Sequence, residues 1–228
     1  MKICGVDPSI NSTGKCIMEL DDGYNIVSVK FYGYNMVRKR CLESDDVHMD
    51  CLGTKYNKLC MFDRQDIAYA FLKRDMEDVT HIAFEGYAFG KSGTSSLLQL
   101  GEFIGGMKKM FYDMGKGIII YPPRVVKHFA TGSGNADKSQ MSLAFKSDFP
   151  QFYPEIFAQF PQNEDPHSDL CDAFWIAETL RNHLIYDIMG PQYMEEGTVA
   201  LLESKSTKKS QSIVETELVK NEKIGRIH

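Results

Sequence analysis

Four acidic residues stand where chemistry could use them. Asp7 closes a short apolar run at 2–7, and Glu85 directly follows another at 79–84. Asp169 and Asp172 lie three positions apart at the start of an amphipathic stretch, which puts both on one face of a helical first turn. A helix N-terminus also favours negative charge. Carboxylates gathered at one point raise one another's pKa, and a divalent cation relieves that cost; hard oxygen ligands of this kind select magnesium or manganese. Each acid also has a plainer reading. Asp7 before Pro8 fits a simple turn, and Asp169 fits a helix cap. Asp165 and His167 lie close before the second pair and read either as a ligand or proton shuttle, or as loop and capping residues.

Elements that would position these acids follow from the hydrophobic pattern. Residues 2–7 form a buried strand, 8–14 a turn, 15–20 a returning strand, and 24–31 a third strand with Val27, Val29 and Phe31 on one face. Short polar turns between them predict an antiparallel meander. No period persists from 32 to 64, which reads as an insertion or long connection. A helix near 64–76 precedes the strand at 79–84. Leu100, Ile104, Met107 and Phe111 then mark an amphipathic helix over 95–113. Its Gly101, Gly105 and Gly106 are costly unless something packs closely against them.

Residues 118–121 form the next strand, and Pro122-Pro123 opens a helix to about 129, proline suiting a first helical position. Asn135 or Asp137 caps a helix from Lys138. The stretch 149–166, rich in Pro and Phe, is a loop packed by its aromatic residues. Leu170, Phe174, Ala177, Leu180 and Leu184 line a final strong helix over 167–184. Beyond Gly190 a shorter helix precedes a polar tail from Ser204 that is expected to be disordered. The sum is an α/β chain with a mixed sheet and helices on both faces. If the first strand is central and the 79–84 strand pairs beside it, Asp7 and Glu85 meet at the sheet rim.

The 228 residues suit one large domain, 43% hydrophobic and 25% charged. No apolar run approaches the ~18 residues that span a bilayer, and the first residues lack the hydrophobic core of a signal peptide. A cytoplasmic protein in the nucleic-acid compartment is expected, with no membrane partner. The six cysteines contain no C-x-x-C pair and read as reduced thiols. Cys41, His48, Cys51 and Cys60 have spacings that fit no common zinc site. The net charge of −5 argues against a nucleic-acid partner, but its distribution does not. Between Gly86 and Ser147, eight lysines and arginines face three acids. A solvated basic face is the alternative.

Several segments together resemble the RuvC-type Holliday junction resolvases. Residues 5–14 (GVDPSINSTG) are similar to that family's opening motif, with its metal-binding Asp at Asp7. Residues 83–85 (AFE) and 98–105 (LQLGEFIG) look like its second acidic strand and glycine-bearing helix. The most specific matches are 121–128 (YPPRVVKH) and 131–140 (TGSGNADKSQ). Residues 169–177 (DLCDAFWIA) are similar to its terminal helix with paired acids. These segments occur in family order over residues 3 to about 180.

The resemblance implies a ribonuclease H-like five-stranded mixed sheet whose first three strands are antiparallel. It implies a nuclease domain over 1–190, with the insertion at about 33–64, and an extension over 191–228. It also implies a homodimer that nicks four-way DNA junctions, with no small-molecule cofactor. Asp7, Glu85, Asp169 and Asp172 would hold two Mg2+ ions, which Mn2+ can replace. By matching position, Lys127 and Lys138 would act near the scissile phosphate; generic phosphate contact is their plainer role. Tyr87 and Phe89 compete for an aromatic wedge that the family carries after its second acid, the alternative being a buried aromatic pair. With Lys91 and Arg124, these residues would contact DNA.

The insertion and the extension are longer than a compact member needs, so relaxed cutting of other branched DNA is compatible with the sequence. Rival readings are a non-catalytic branched-DNA binder and a nuclease for flaps or RNA–DNA hybrids. An actin-like phosphate-loop protein would need a second glycine-rich acidic loop and a second similar domain, and neither is present.

Overall fold

The computed structural model describes residues 1–35, 43–51, 59–86, 94–159, 167–190 and 192. Its strands are β1 (Lys2–Asp7), β2 (Ser12–Leu20), β3 (Ile26–Asn35), β4 (Glu43–Ser44), β5 (Val47–Cys51), β6 (Val79–Glu85) and β7 (Gly117–Tyr121). Its α-helices are α1 (Met61–Leu72), α2 (Thr94–Asp113), α3 (Pro123–Thr131), α4 (Lys138–Asp148) and α5 (His167–Met189). Short 3-10 turns at Pro150–Phe152 and Glu155–Gln159 interrupt the segment expected to be loop. Among the described residues, no helix is long and apolar enough to cross a membrane.

The sheet order is β4-β5-β3-β2-β1-β6-β7. β1, β2 and β3 form the antiparallel meander, while β6 and β7 add in parallel to β1. The expected five strands become seven. The segment at 33–64 is not only a connection: it finishes β3 and supplies β4 and β5, with β5 running parallel to β3. Val47 and Met49 are buried there while His48 and Asp50 turn outward, so β5 pays into the core with one face only. Helix α1 also begins three residues before the expected Arg64, and β2 starts at Ser12 rather than Lys15.

Alternation along the strands divides the interior into two layers. Ile3, Cys16, Met18, Phe31, Ala83 and Ile119 face α3, α4 and α5. Cys4, Val6, Ile17, Tyr34, Ile82 and Phe84 face α1 and α2. The first layer is strongly aromatic: Phe145 stacks on Phe174 at 3.8 Å, and Phe31 packs edge-on to Phe157. The Trp175 indole donates to the Met141 carbonyl at 3.0 Å, fixing α5 to α4. Asp137 caps α4 by a full capping box with Gln140, as the sequence allows.

Helix α5 lies directly on β1 and β2. A methyl group on Gly5 would overlap the backbone of Ala173 and Ala177, and one on Gly14 the Asp169 carbonyl. These two glycines let the helix approach the sheet backbone to backbone.

Lys15 is a costly exception in the second layer, being 0% exposed. Its ammonium donates to the Arg74 carbonyl at 2.7 Å and sits 4.2 Å from the Tyr32 ring centre. Burial pushes its pKa down from 10.5 to about 8, opposed in part by Cys4 and Asp75. The folded state therefore binds fewer protons than the unfolded chain between those values. Stability from this group rises with pH across that window, and the full penalty applies below 8. The penalty is about 3 kcal/mol, offset by roughly 2 kcal/mol from the hydrogen bond and the ring contact. Lys15→Met is expected to be more stable than the wild type at pH 7 by about 1 kcal/mol, with the gap closing and reversing by pH 10. Urea melts at both pH values test this, and a gap independent of pH would refute it.

Candidate active site

The acids converge on one end of the sheet because the strands end there. Val6 pairs with Phe84 in the parallel ladder, so Asp7 and Glu85 are the next residues of neighbouring strands. Asp7 pairs across the antiparallel ladder with Gly14. Gly14 lies against the Asp169 backbone, so the start of α5 comes over the tip of β1. One helical turn onward, Asp172 occupies the same face. The position is the carboxyl end of parallel strands, where open α/β sheets bind ligands.

The electrostatics show the same convergence. Burial raises the Asp7 carboxyl well above its ordinary range, and Glu85, Asp172 and Asp169 raise it further, while Lys138 opposes them. Burial and the Asp172 charge push Glu85 up to about 7, and Lys127 and Lys138 hold it down. Four acids and two lysines thus act on one another, although Lys127 comes from α3 and Lys138 from the first residue of α4. Arg124 is exposed on the first turn of α3, with Gly134 packed against it. Tyr87, Phe89, Lys91 and Asp165 lie outside the described residues.

The hydroxyls around Asp169 were not legible as site residues in the sequence. Ser12 at the start of β2 donates to Asp169 Oδ2. Ser168, 1% exposed, lies 3.4 Å from Asp169 Oδ1 and receives a hydrogen bond from Lys138 Nζ at 2.9 Å. The turn before Ser12 is itself braced, with the Thr13 and Tyr34 hydroxyls at 2.7 and 3.0 Å from the Ser9 carbonyl. His167 Nε2 lies 2.9 Å from both Ser142 Oγ and Tyr153 OH. This edge of His167 anchors the start of α5 to α4 and the 3-10 segment.

Carboxylate oxygens are the donor set that a hard divalent cation takes. The four acids are electrostatic neighbours, but among the described residues no three His, Cys, Asp or Glu side chains are drawn together as a finished metal-binding group. The donor chemistry fits such ions. The alternative zinc set does not assemble among the described residues either: His48 pairs with Glu43 at 2.7 Å and Cys60 with Asp63 at 3.2 Å. Cys41 and the Cys51 side chain lie outside the described residues.

No family model matches the sequence, and no curated protein matches it. Solved structures do match. RuvC of Thermus thermophilus superposes with a TM-score of 0.54 at 18% identity, over 83% of this chain and 97% of that one. The same protein in complex with a Holliday junction substrate matches at 0.54 and 18%, over 83% and 96%. The yeast mitochondrial Holliday junction resolvase Ydc2 matches at 0.52 and 14% identity, over 84% of each chain. The fold is therefore of the ribonuclease H-like class. That fold is shared with the RuvC and Ydc2 structures over 83–84% of this chain.

Proposed function

We propose that this chain is a structure-specific DNA endonuclease that resolves four-way junctions by metal-assisted hydrolysis, leaving 5′-phosphate and 3′-hydroxyl ends. One observation carries the reading: Asp7, Glu85, Asp169 and Asp172 meet electrostatically at the rim of a RuvC-type sheet, with two lysines beside them. The Thermus protein of this fold is described with a Holliday junction as its substrate.

The four carboxylates would hold two Mg2+ or Mn2+ ions. When bound, such a pair supplies an activated water and neutralises charge on the departing 3′ oxygen. Asp7, on which all three other acids act, would be the central ligand. Lys127 and Lys138 stabilise negative charge on the phosphoryl oxygens. Arg124 and Lys91 contact the DNA backbone, and Tyr87 or Phe89 stacks at the junction. Residues 1–190 are the nuclease unit, 191–228 an extension, and the working form a homodimer that makes paired nicks.

Purified protein is incubated with a labelled synthetic four-way junction or a matched linear duplex, with Mg2+ or with EDTA. Symmetric nicks in the junction alone, dependent on Mg2+, are the expected result. Junction binding without cutting would replace this reading with a structural DNA-binding role. Equal cutting of flaps or hybrids would keep the nuclease and discard the junction as its substrate.

A further inference from the structure

Asp169 is the most buried of the four acids, 8% exposed, and both of its carboxylate oxygens face a serine hydroxyl. It sits in the first turn of α5, where an ionised carboxylate can turn back towards the unpaired backbone N–H groups of its own helix. Facing Asp7 instead requires competing donors. Ser12 supplies one from β2, at Oδ2. Ser168 supplies the other at Oδ1, and Lys138 settles which way that hydroxyl points. An ammonium can donate but not accept, so the 2.9 Å contact from Lys138 Nζ occupies a lone pair of Ser168 Oγ. The one Ser168 hydrogen is left to turn towards Asp169 Oδ1, 3.4 Å away. A carboxylate oxygen has two lone pairs, so both oxygens can still take a cation after accepting these bonds.

We propose that Ser12 and Ser168 are positioning residues: their hydroxyls, the second directed by Lys138, fix the Asp169 carboxylate in the orientation that binds a divalent cation. This rests on the metal-dependent reading above and adds to it which groups set the cation affinity. Neither serine touches the reacting atoms. Hydrogen bonds to metal-ligating carboxylates typically change metal affinity or activity by 10–100-fold when lost.

The test uses the full chain as wild type, Ser12→Ala, Ser12→Thr and Ser12→Ala/Ser168→Ala. Mn2+ binding to the DNA-free protein is followed by electron paramagnetic resonance, alongside metal-free melting temperature and the Mn2+ dependence of junction nicking. Ser12→Ala is expected to weaken Mn2+ binding by about 10-fold and the double variant by up to about 100-fold. The Mn2+ concentration needed for nicking moves up in step, raising Mn2+ recovers nicking, and Ser12→Thr restores the affinity. A packing role alone would lower the melting temperature without moving Mn2+ affinity. Because Ser168 is buried, Ser12→Ala decides the matter if the double variant does not fold. Wild-type Mn2+ affinity in Ser12→Ala overturns the proposal while leaving the nuclease intact. A wild type that neither binds Mn2+ nor nicks junctions overturns both.

Discussion

Asp7→Asn is expected to lose junction nicking by at least about a thousandfold, roughly 4 kcal/mol of barrier, and to gain stability in the absence of metal. Both effects come from its position. It stands between Glu85 on β6 and the Asp169–Asp172 pair on α5, and all three raise its pKa in addition to burial. On the metal-dependent reading proposed above, an amide would be a poorer ligand than the charged carboxylate, and cutting would fail. The same change removes a carboxylate that the fold finds costly to ionise.

Glu85 gives that cost a scale. Its carboxyl is pushed from 4.5 up to about 7, so the folded state holds more protons than the unfolded chain across that window. Stability of the metal-free protein falls as pH rises from 4.5 to 7, and the penalty is complete above 7. Discounted for partial exposure, it is worth about 2 kcal/mol, or roughly 5 °C in a chain of this size. In EDTA at pH 8, Glu85→Gln should therefore melt higher than the wild type, with Asp7→Asn shifted in the same direction. At pH 4.5 the Glu85→Gln difference should nearly vanish, while that of Asp7→Asn, whose ordinary value is 3.8, persists to lower pH. Melting curves at the two pH values check this; equal melting temperatures at pH 8 would mean that the acids are not in conflict.

Gly14→Ala is expected to lose both stability and nicking, whereas Gly5→Ala loses stability first. The added methyl meets backbone atoms in each case, the Asp169 carbonyl for Gly14 and the Ala173 and Ala177 backbone for Gly5. Backbone cannot rotate aside as a side chain can, so α5 must lift from the sheet. Each substitution should cost about 3 kcal/mol. Lifting at Gly14 also carries Asp169 away from Asp7. Gly105→Ala is the contrast, since among the described residues no atom beyond the helix's own backbone lies within 4 Å of its added methyl. It should be neutral or stabilising by up to about 1 kcal/mol, the ordinary helix preference for alanine. Melting temperature and nicking rate for the three variants separate the cases. A tolerated Gly14→Ala would break the link between this packing and the site.

The acids were legible in the sequence because each ends an apolar run or sits at helical spacing. Those are local signals. The meander, helices on both faces and the Asp137 cap were legible for the same reason. The continuation of β3 to Asn35 was not, because residues 31–35 are buried on both faces and show no polar–apolar alternation. β5 does alternate, but over only five residues, and its partner is a strand reached by a parallel pairing that no local pattern announces. Ser12 was hidden by distance, lying 157 positions from the carboxylate it supports. Ser168 was hidden by its ordinariness, a serine beside an aspartate at the start of a helix. Positioning groups of this kind carry no spacing rule, so only the folded chain brings them forward.

Close seating of α5 on β1 and β2 also bears on how such a site tolerates change. Side chains between two elements act as a cushion, and a substitution there alters the gap. Here the gap beside the acids is set by main chain against main chain at Gly5 and Gly14. The aromatic layer around Phe145 and Phe174 can drift in sequence without stretching the distance between Asp7 and Asp169. The reach of the acid cluster is insulated from the core that supports it, as a hinge pin is insulated from the thickness of the door.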